Sequence, residues 1–335
     1  MHNLWLHFSL LIGSAVAIYL SCELFVNGVE WLGHKLSVGE KATGSILAAF
    51  GTALPESVVT LVAVAFGGSV AAKQLGIGAA LGGPLALATV AYATVGVVLL
   101  LTRRELPRTP EIRGDFRILA RDQGWFLAIF VAKIGLGLIA FAWKPWLGIL
   151  FLVAYGLYIR QEMKGPAGAD ELEIEPLTFA RHAAVPGLVV TLFQTLVALA
   201  VTFAASHLFV SQLGTIGPAL GLQPQLVALL LSPIATELPE TMNAVIWVRQ
   251  GKYRLALANI TGAMMIQATI PTAFGLIWTS WLLTPPLLVA AGVTALAIAV
   301  MALAFRRGMV SRALLASMGL LYLLFAALLI LLHLR

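Results

Sequence analysis

Apolar residues fall along the chain in ten long blocks, separated by short polar, Pro- or Gly-bearing stretches. The blocks are Leu4–Phe25, Thr43–Phe66, Leu75–Leu101, Trp125–Trp143, Pro145–Ile159, Pro186–Val210, Pro224–Val248, Leu255–Trp278, Leu282–Phe305 and Ala313–Leu332. A bilayer span needs about 20 predominantly apolar residues. Lipid offers no partner to an open backbone N–H or C=O, so each block predicts a helix. The fifth is the shortest. The opening residues MHNLWLHFSLLIGSAVAIYL carry no Lys or Arg ahead of the apolar run and no small-residue cleavage site, so they read as a retained first helix. The two longest connections are the arginine-rich Thr102–Gly124 and Gln161–Arg181, which contains GPAGADELEIEP. Both read as solvated loops, the first with room for a short interfacial helix.

Composition agrees with the blocks. Of 335 residues, 60% are hydrophobic and 11% charged, against about 25% charged in a soluble domain. This excludes a soluble enzyme and a nucleic-acid-binding module, and one cysteine, Cys22, excludes an internal disulfide or a Cys-based zinc site. The basic residues instead report orientation. Of 21 Lys and Arg, 17 lie in connections after odd-numbered blocks, three lie on the opposite side, and Lys133 sits inside the fourth block. The positive-inside rule then places both termini outside and the basic loops in the cytoplasm.

The halves of the chain repeat. Residues 21–60 read SCELFVNGVEWLGHKLSVGEKATGSILAAFGTALPESVVT, and 205–244 read ASHLFVSQLGTIGPALGLQPQLVALLLSPIATELPETMNA. At a constant offset of 184, Thr52, Leu54, Pro55 and Glu56 recur as Thr236, Leu238, Pro239 and Glu240. Leu and Val coincide easily in apolar spans; Thr-x-Leu-Pro-Glu does not. Each half holds five blocks, so the second enters the membrane from the other side. The predicted organisation is a first five-helix repeat over 1–160, a cytoplasmic linker over 161–181 and an inverted second repeat over 182–335. Carriers built this way bind substrate near the midplane, on interrupted helices. Pro55 has no N–H for the Gly51 carbonyl, and Pro239 none for that of Ala235.

Glu56 and Glu240 are ionisable groups inside apolar spans, each costing about 2.5–3.5 kcal/mol on insertion scales. Two such carboxylates, the freed carbonyls of Gly51 and Ala235 and the hydroxyls of Thr52 and Thr236 make an all-oxygen set. Hard cations such as Ca²⁺ take six to eight ligands of that kind, whereas softer metals favour Cys, Met or His.

The Thr-x-Leu-Pro-Glu repeats, the Glu23-Leu-Phe-Val stretch ahead of the first and the five-plus-five layout resemble the calcium/cation antiporter superfamily, which includes sodium/calcium and calcium/proton exchangers. The resemblance implies an all-α membrane protein of ten helices. It implies an antiporter, not an enzyme, exchanging Ca²⁺ or a related divalent cation against Na⁺ or H⁺. Glu56 and Glu240 would bridge the divalent ion, with Thr52 and Thr236 adding oxygens. Inorganic cations and the lipid bilayer are the implied partners; nucleic acid is not one, and the transported ions are substrates, with no cofactor implied. A bacterial or archaeal inner membrane suits the outward termini.

The chain also departs from that pattern. Where the family carries Gly-Asn and Gly-Ser-Asn after its two motifs, this sequence has Gly78-Ala79-Ala80-Leu81-Gly82-Gly83-Pro84 and Ala258-Asn259-Ile260-Thr261-Gly262, with Gln267 one turn on. The motif serine of the second repeat is replaced by Glu237, three residues before Glu240. Two carboxylates so close cannot readily both ionise, which gives a route for proton coupling. Alternatively, Glu237 replaces a lost serine oxygen and sodium coupling survives. Asn243 and Gln267 are further ligand candidates. Lys133 either neutralises a midplane glutamate in place of a monovalent ion or pairs locally, and the Gly78/Gly82 spacing predicts close helix packing. Rival readings are an antiporter for Mg²⁺ or Mn²⁺, a passive cation channel, and an intramembrane hydrolase, for which His207 stands far from Glu240.

Overall fold

A computed structural model describes residues 2–35, 53–103, 110–162 and 175–334, and regular structure among them is entirely helical. The helices are α1 (His2–Lys35), α2 (Leu54–Leu61), α3 (Val70–Ala86), α4 (Tyr92–Leu101), α5 (Pro110–Leu138), α6 (Leu147–Glu162), α7 (Leu188–Ala219), α8 (Pro224–Thr236), α9 (Leu238–Arg249), α10 (Tyr253–Trp278), α11 (Pro285–Arg307) and α12 (Arg312–Leu331). Wider π-helical turns follow α2 over Val62–Phe66 and join α3 to α4 over Leu87–Ala91. The second lies just beyond Pro84, whose missing N–H disturbs the helical ladder.

Among the described residues, six helical stretches are long and apolar enough to cross a membrane: Leu4–Lys35, Val70–Leu101, Leu188–Ala219, Leu255–Trp278, Pro285–Arg307 and Arg312–Leu331; Leu54–Phe66 and Pro224–Ile234 are shorter apolar helices. The helix predicted from Pro224 to Val248 is parted at Glu237, which ends α8 and opens α9. The first and sixth blocks extend well past their predicted ends, to Lys35 and Ala219. Thr102–Gly124, expected as solvated loop, is instead helical from Pro110 onward. Its apolar residues Phe116 and Leu119 are buried, and Phe116 packs on Phe305 of α11. The fourth block stops at Leu138, leaving Trp143 in a turn. There the Lys144 ammonium donates to the carbonyls of Ile139, Ser280 and Trp281 at 2.6, 2.8 and 2.9 Å, capping chain ends that lack helical donors. Most of the predicted linker lies outside the described residues; from Glu175 the chain is pinned to α1, Trp31 Nε1 donating to the Glu175 carbonyl at 2.9 Å.

Burial separates a shell from a core. In an 18-residue apolar window of each helix, 22% of residues are buried in Arg312–Leu331 and 28% in Leu4–Lys35, against 61% in Val70–Leu101 and 78% in Leu255–Trp278. α1 and α7 pair antiparallel along the edge. His7 meets Gln212 at 2.7 Å, Thr202 Oγ1 bonds Ser21 Oγ at 2.8 Å, and Gln194 Nε2 donates to Asn27 Oδ1 at 3.0 Å. Their outer faces present Leu6, Ile12, Val16, Val189, Phe193 and Leu196, which suits lipid. Inside, α3 lies parallel to α8 at backbone contact distance. A Cβ on Gly78 would collide with the Gln225 backbone, and one on Gly82 would sit 2.7 Å from the Leu229 carbonyl. The two glycines therefore pack helix against helix, as small residues do in membranes.

Gly78→Ala should lower the melting temperature of the detergent-solubilised protein, by the equivalent of about 1–3 kcal/mol, since the obstructing atoms are backbone. Gly13→Ala, on an exposed face of α1 with nothing within 4 Å, should be neutral or raise it. Equal effects would disprove the close α3–α8 approach.

Candidate cation site

Both copies of Leu-Pro-Glu begin a helix. Pro55 and Pro239 stand in the first turns of α2 and α9, where a missing N–H costs nothing because first-turn amides have no intrahelical partner. Glu56 and Glu240 follow in those first turns, beside the positive ends of the helix dipoles, which favour carboxylates. Between α8 and α9, Glu237 has φ −101° and ψ −3°; its N–H reaches the Pro233 carbonyl at 3.0 Å, and its own carbonyl accepts from Thr241 N at 3.1 Å. Both bonds keep the four-residue helical spacing, so α8 and α9 part only at Glu237, where the following proline offers no N–H, and the Glu237 side chain, which caps no helix, is buried in the core.

There it meets the other repeat. Thr236 Oγ1 lies 2.8 Å from Glu56 Oε2, 3.0 Å from Glu237 Oε1 and 3.2 Å from the Ser232 carbonyl. One hydroxyl hydrogen serves three acceptors, so two carboxylate oxygens converge on one oxygen with a single proton between them. Gln267 Nε2 donates to Glu237 Oε2 at 2.8 Å, and Thr60 Oγ1 reaches Glu56 Oε1 at 3.5 Å. Glu56, Thr236, Glu237, Glu240 and Gln267 are all buried. The Ser232 hydroxyl and Gln267 Oε1 are buried with no hydrogen-bond partner among the described residues. A buried oxygen left unpaired costs about 1–3 kcal/mol, and Gln267 Oε1, beside Glu237 at Gly83, fits a site that a cation completes.

The cluster is lopsided in a way that follows from the repeat. At the offset of 184, Glu237 corresponds to Ala53 and Gln267 to Gly83. A Cβ on Gly83 would sit 2.8 Å from both Gln267 Oε1 and Glu237 Oε1. The second repeat's polar pair therefore fills room that the first leaves open.

The structure joins Glu56, Thr236, Glu237 and Gln267 by hydrogen bonds, and buries Glu240 one turn beyond Glu237. Asn243 is half-buried a turn further on and outside that network. Ala235 precedes the break, and Pro239, four residues on, has no N–H to offer its carbonyl. Gly51 and Thr52 lie outside the described residues. Among the described residues no three His, Cys, Asp or Glu side chains converge as a metal cage, so hydroxyl, amide and carbonyl oxygens must complete any shell. Ser232 was not among the expected ligands; its signal is the spacing of four residues before Thr236, which on α8 puts it one turn away.

The family model described as sodium/calcium exchanger protein matches residues 6–160 and 190–331. The uncharacterized membrane protein MJ0091 of Methanocaldococcus jannaschii is 24% identical over 248 residues, 74% of each chain. Among solved structures, the sodium-calcium exchanger NCX_Mj superposes with TM-score 0.60 at 18% identity, covering 97% of this chain and 99% of that one. The H⁺/Ca²⁺ exchanger CAX superposes with TM-score 0.68 at 15% identity, covering 97% and 87%. At these identities the two structures establish a shared fold.

Gly83→Ala should leave the protein folded, because what its methyl meets are the ends of two flexible side chains. It should weaken divalent-cation stabilisation of the purified protein about tenfold or more, the equivalent of about 1.4 kcal/mol. An unchanged midpoint in a divalent titration of melting temperature would remove Glu237 and Gln267 from the site.

Proposed function

The chain belongs to the sodium/calcium exchanger protein family, and from that premise we propose that it is a secondary antiporter exchanging Ca²⁺, or a related divalent cation, against Na⁺ or H⁺. The family is one of exchangers, transporters and not enzymes, and the chain is an integral membrane protein. The observation that carries the reading is the shared Thr236 hydroxyl, which draws Glu56 of one repeat and Glu237 of the other onto one point in the buried core. A divalent ion there would be bound by Glu56 and Glu237, by the Thr236 hydroxyl and Gln267 Oε1, and by the carbonyl of Ala235, with Glu240, buried one turn beyond Glu237, drawn in as the ion binds. Thr52 and the Gly51 carbonyl would complete the first repeat's side; Asn243 would stand by as an outer ligand.

The architecture we assign is ten spans in two inverted repeats, 1–160 and 182–335, around a cytoplasmic linker over 161–181, with both termini outside a prokaryotic inner membrane. Helix directions support it. α1 and α7, at equivalent repeat positions, run antiparallel, whereas α3 and α8, at the third and seventh spans, run parallel. Binding across the repeat boundary is what alternating access requires: helices that move relative to one another expose the same oxygens first to one side and then to the other. Two negative groups converging in a low-dielectric interior need positive charge between them. Either a divalent ion or its counter-ions can supply it, and competition for those oxygens would couple the two fluxes.

Radiolabelled Ca²⁺ uptake into proteoliposomes, with outward Na⁺ and outward proton gradients imposed separately, tests this. Uptake should appear under one gradient, and Glu56→Gln and Glu240→Gln should each abolish it while the protein still inserts. Normal uptake in either variant would refute the site; no uptake of Ca²⁺, Mg²⁺ or Mn²⁺ under either gradient would refute the function.

A further inference from the structure

Lys133 lies in the last third of α5, five residues before its end at Leu138, and is completely buried. An ammonium buried among apolar helices costs up to about 2.5–3.5 kcal/mol on insertion scales, so a neutral donor would be the cheaper way to make one hydrogen bond. Its Nζ donates to the Ala80 carbonyl on α3 at 3.0 Å and stands 5.2 Å from the centre of the Phe130 ring. That carbonyl is a particular one. The residue four positions on, whose N–H would satisfy it in a regular helix, is Pro84. Lys133 therefore puts a positive charge on an oxygen that the helix leaves open, in the Gly78–Pro84 stretch that carries no polar side chain. The lysine is held from behind as well, its own carbonyl accepting from Trp281 Nε1 at 3.0 Å.

The ammonium is near the site without being consumed by it. Ala80, whose carbonyl it meets, lies one turn before Gly83, the residue against which Glu237 and Gln267 pack, yet among the described residues no carboxylate lies within 4.0 Å of Nζ. Of its three protons, one has a recorded acceptor, Ala80 O. Charge counting then gives the lysine a meaning. The repeated glutamates, Glu56 and Glu240, would match one divalent ion by themselves. Glu237 adds a third negative charge at a position where the first repeat has Ala53. Lys133 adds one positive charge, so the set of three carboxylates and one ammonium again carries two negative charges.

We propose that Lys133 is a built-in monovalent cation of the ion site, standing on the carbonyl freed by Pro84 and balancing Glu237, so that one divalent ion neutralises the site with no bound monovalent ion beside it. This rests on the divalent-site reading above. Removing the charge leaves a site of three negative charges, which a divalent ion alone cannot neutralise. A free Na⁺ or K⁺ should then be needed where the ammonium was.

Lys133→Gln keeps a donor for Ala80 O and removes the charge; Lys133→Met removes both. The measurement is the melting temperature of purified protein titrated with Ca²⁺ in choline, Na⁺ or K⁺ chloride at constant ionic strength. In the wild type, Na⁺ or K⁺ should leave Ca²⁺ binding unchanged or compete with it. In both variants Ca²⁺ should bind at least tenfold more weakly in choline and recover in Na⁺ or K⁺, so that the coupling between the ions changes sign. The pair Lys133→Gln with Glu237→Gln, neutral at both positions, should lose that dependence again. If Lys133→Gln behaves as wild type, the lysine is only a hydrogen-bond donor and the proposal is overturned. It is also overturned if neither variant acquires monovalent synergy. Should the single variants not fold, recovery of folded protein in the neutral pair supports matched charges, and failure to recover overturns them. If the wild type binds none of Ca²⁺, Mg²⁺ or Mn²⁺, the divalent reading falls. The Lys133 assignment then stands or falls on whether Na⁺ or K⁺ stabilises Lys133→Gln and not the wild type.

Discussion

Negative charge has been placed where water cannot reach it, and the surrounding helices are arranged to make that tolerable. Glu56, Glu237 and Glu240 are buried among apolar helices, an environment in which an uncompensated carboxylate costs several kcal/mol even after relaxation. Three features offset that cost. Glu56 and Glu240 stand in first turns of helices, where backbone amides are unpaired. Thr236 and Gln267 donate hydrogen bonds. Lys133, on the proposed reading, adds a positive charge from a third direction. On that reading, what remains unbalanced is the driving force for holding a cation.

The same requirement accounts for the inner packing. Oxygens on α8, α9 and α10 can converge with those on α2 only if backbones approach closely, and bare glycines permit this. Gly78 and Gly82 let α3 lie against α8, and Gly83 leaves the pocket into which Glu237 and Gln267 reach. Prolines act in concert with them. Pro55 and Pro239 start helices at the glutamates, while Pro84, inside α3, leaves one carbonyl open for Lys133. The peripheral α1–α7 pair turns leucines, valines and phenylalanines outward and packs its inner face on α2, α3 and α8.

Much of this was legible along the chain. The apolar blocks located the helices because a bilayer imposes length and backbone satisfaction on every span. The repeated Thr-x-Leu-Pro-Glu marked the glutamates because an acid and a proline within an apolar span are costly coincidences. Boundaries were less legible. α5 starts at Pro110 within an arginine-rich stretch because Phe116 and Leu119 find a neighbour in α11, and no local pattern announces that neighbour. Thr102–Gly124 looked like loop because its charges dominate its hydropathy.

The site divides the same way. Covalent chemistry and repetition singled out Glu56, Glu240, Thr236 and the carbonyls opposite the prolines as candidates, since a missing N–H is a property of the residue and not of its surroundings. Glu237 and Gln267 were visible as unusual residues, but their hydrogen bond to one another and the bridge through Thr236 to Glu56 join positions 30 and 181 residues apart. Only the tertiary structure decided that Gly83 is the room they occupy and that Lys133 meets the Ala80 carbonyl. Both depend on which helices lie side by side and at what rotation, and that is set by the packing of small residues between distant segments. The sequence by itself determined which atoms would lack partners; the fold decided which of them would meet.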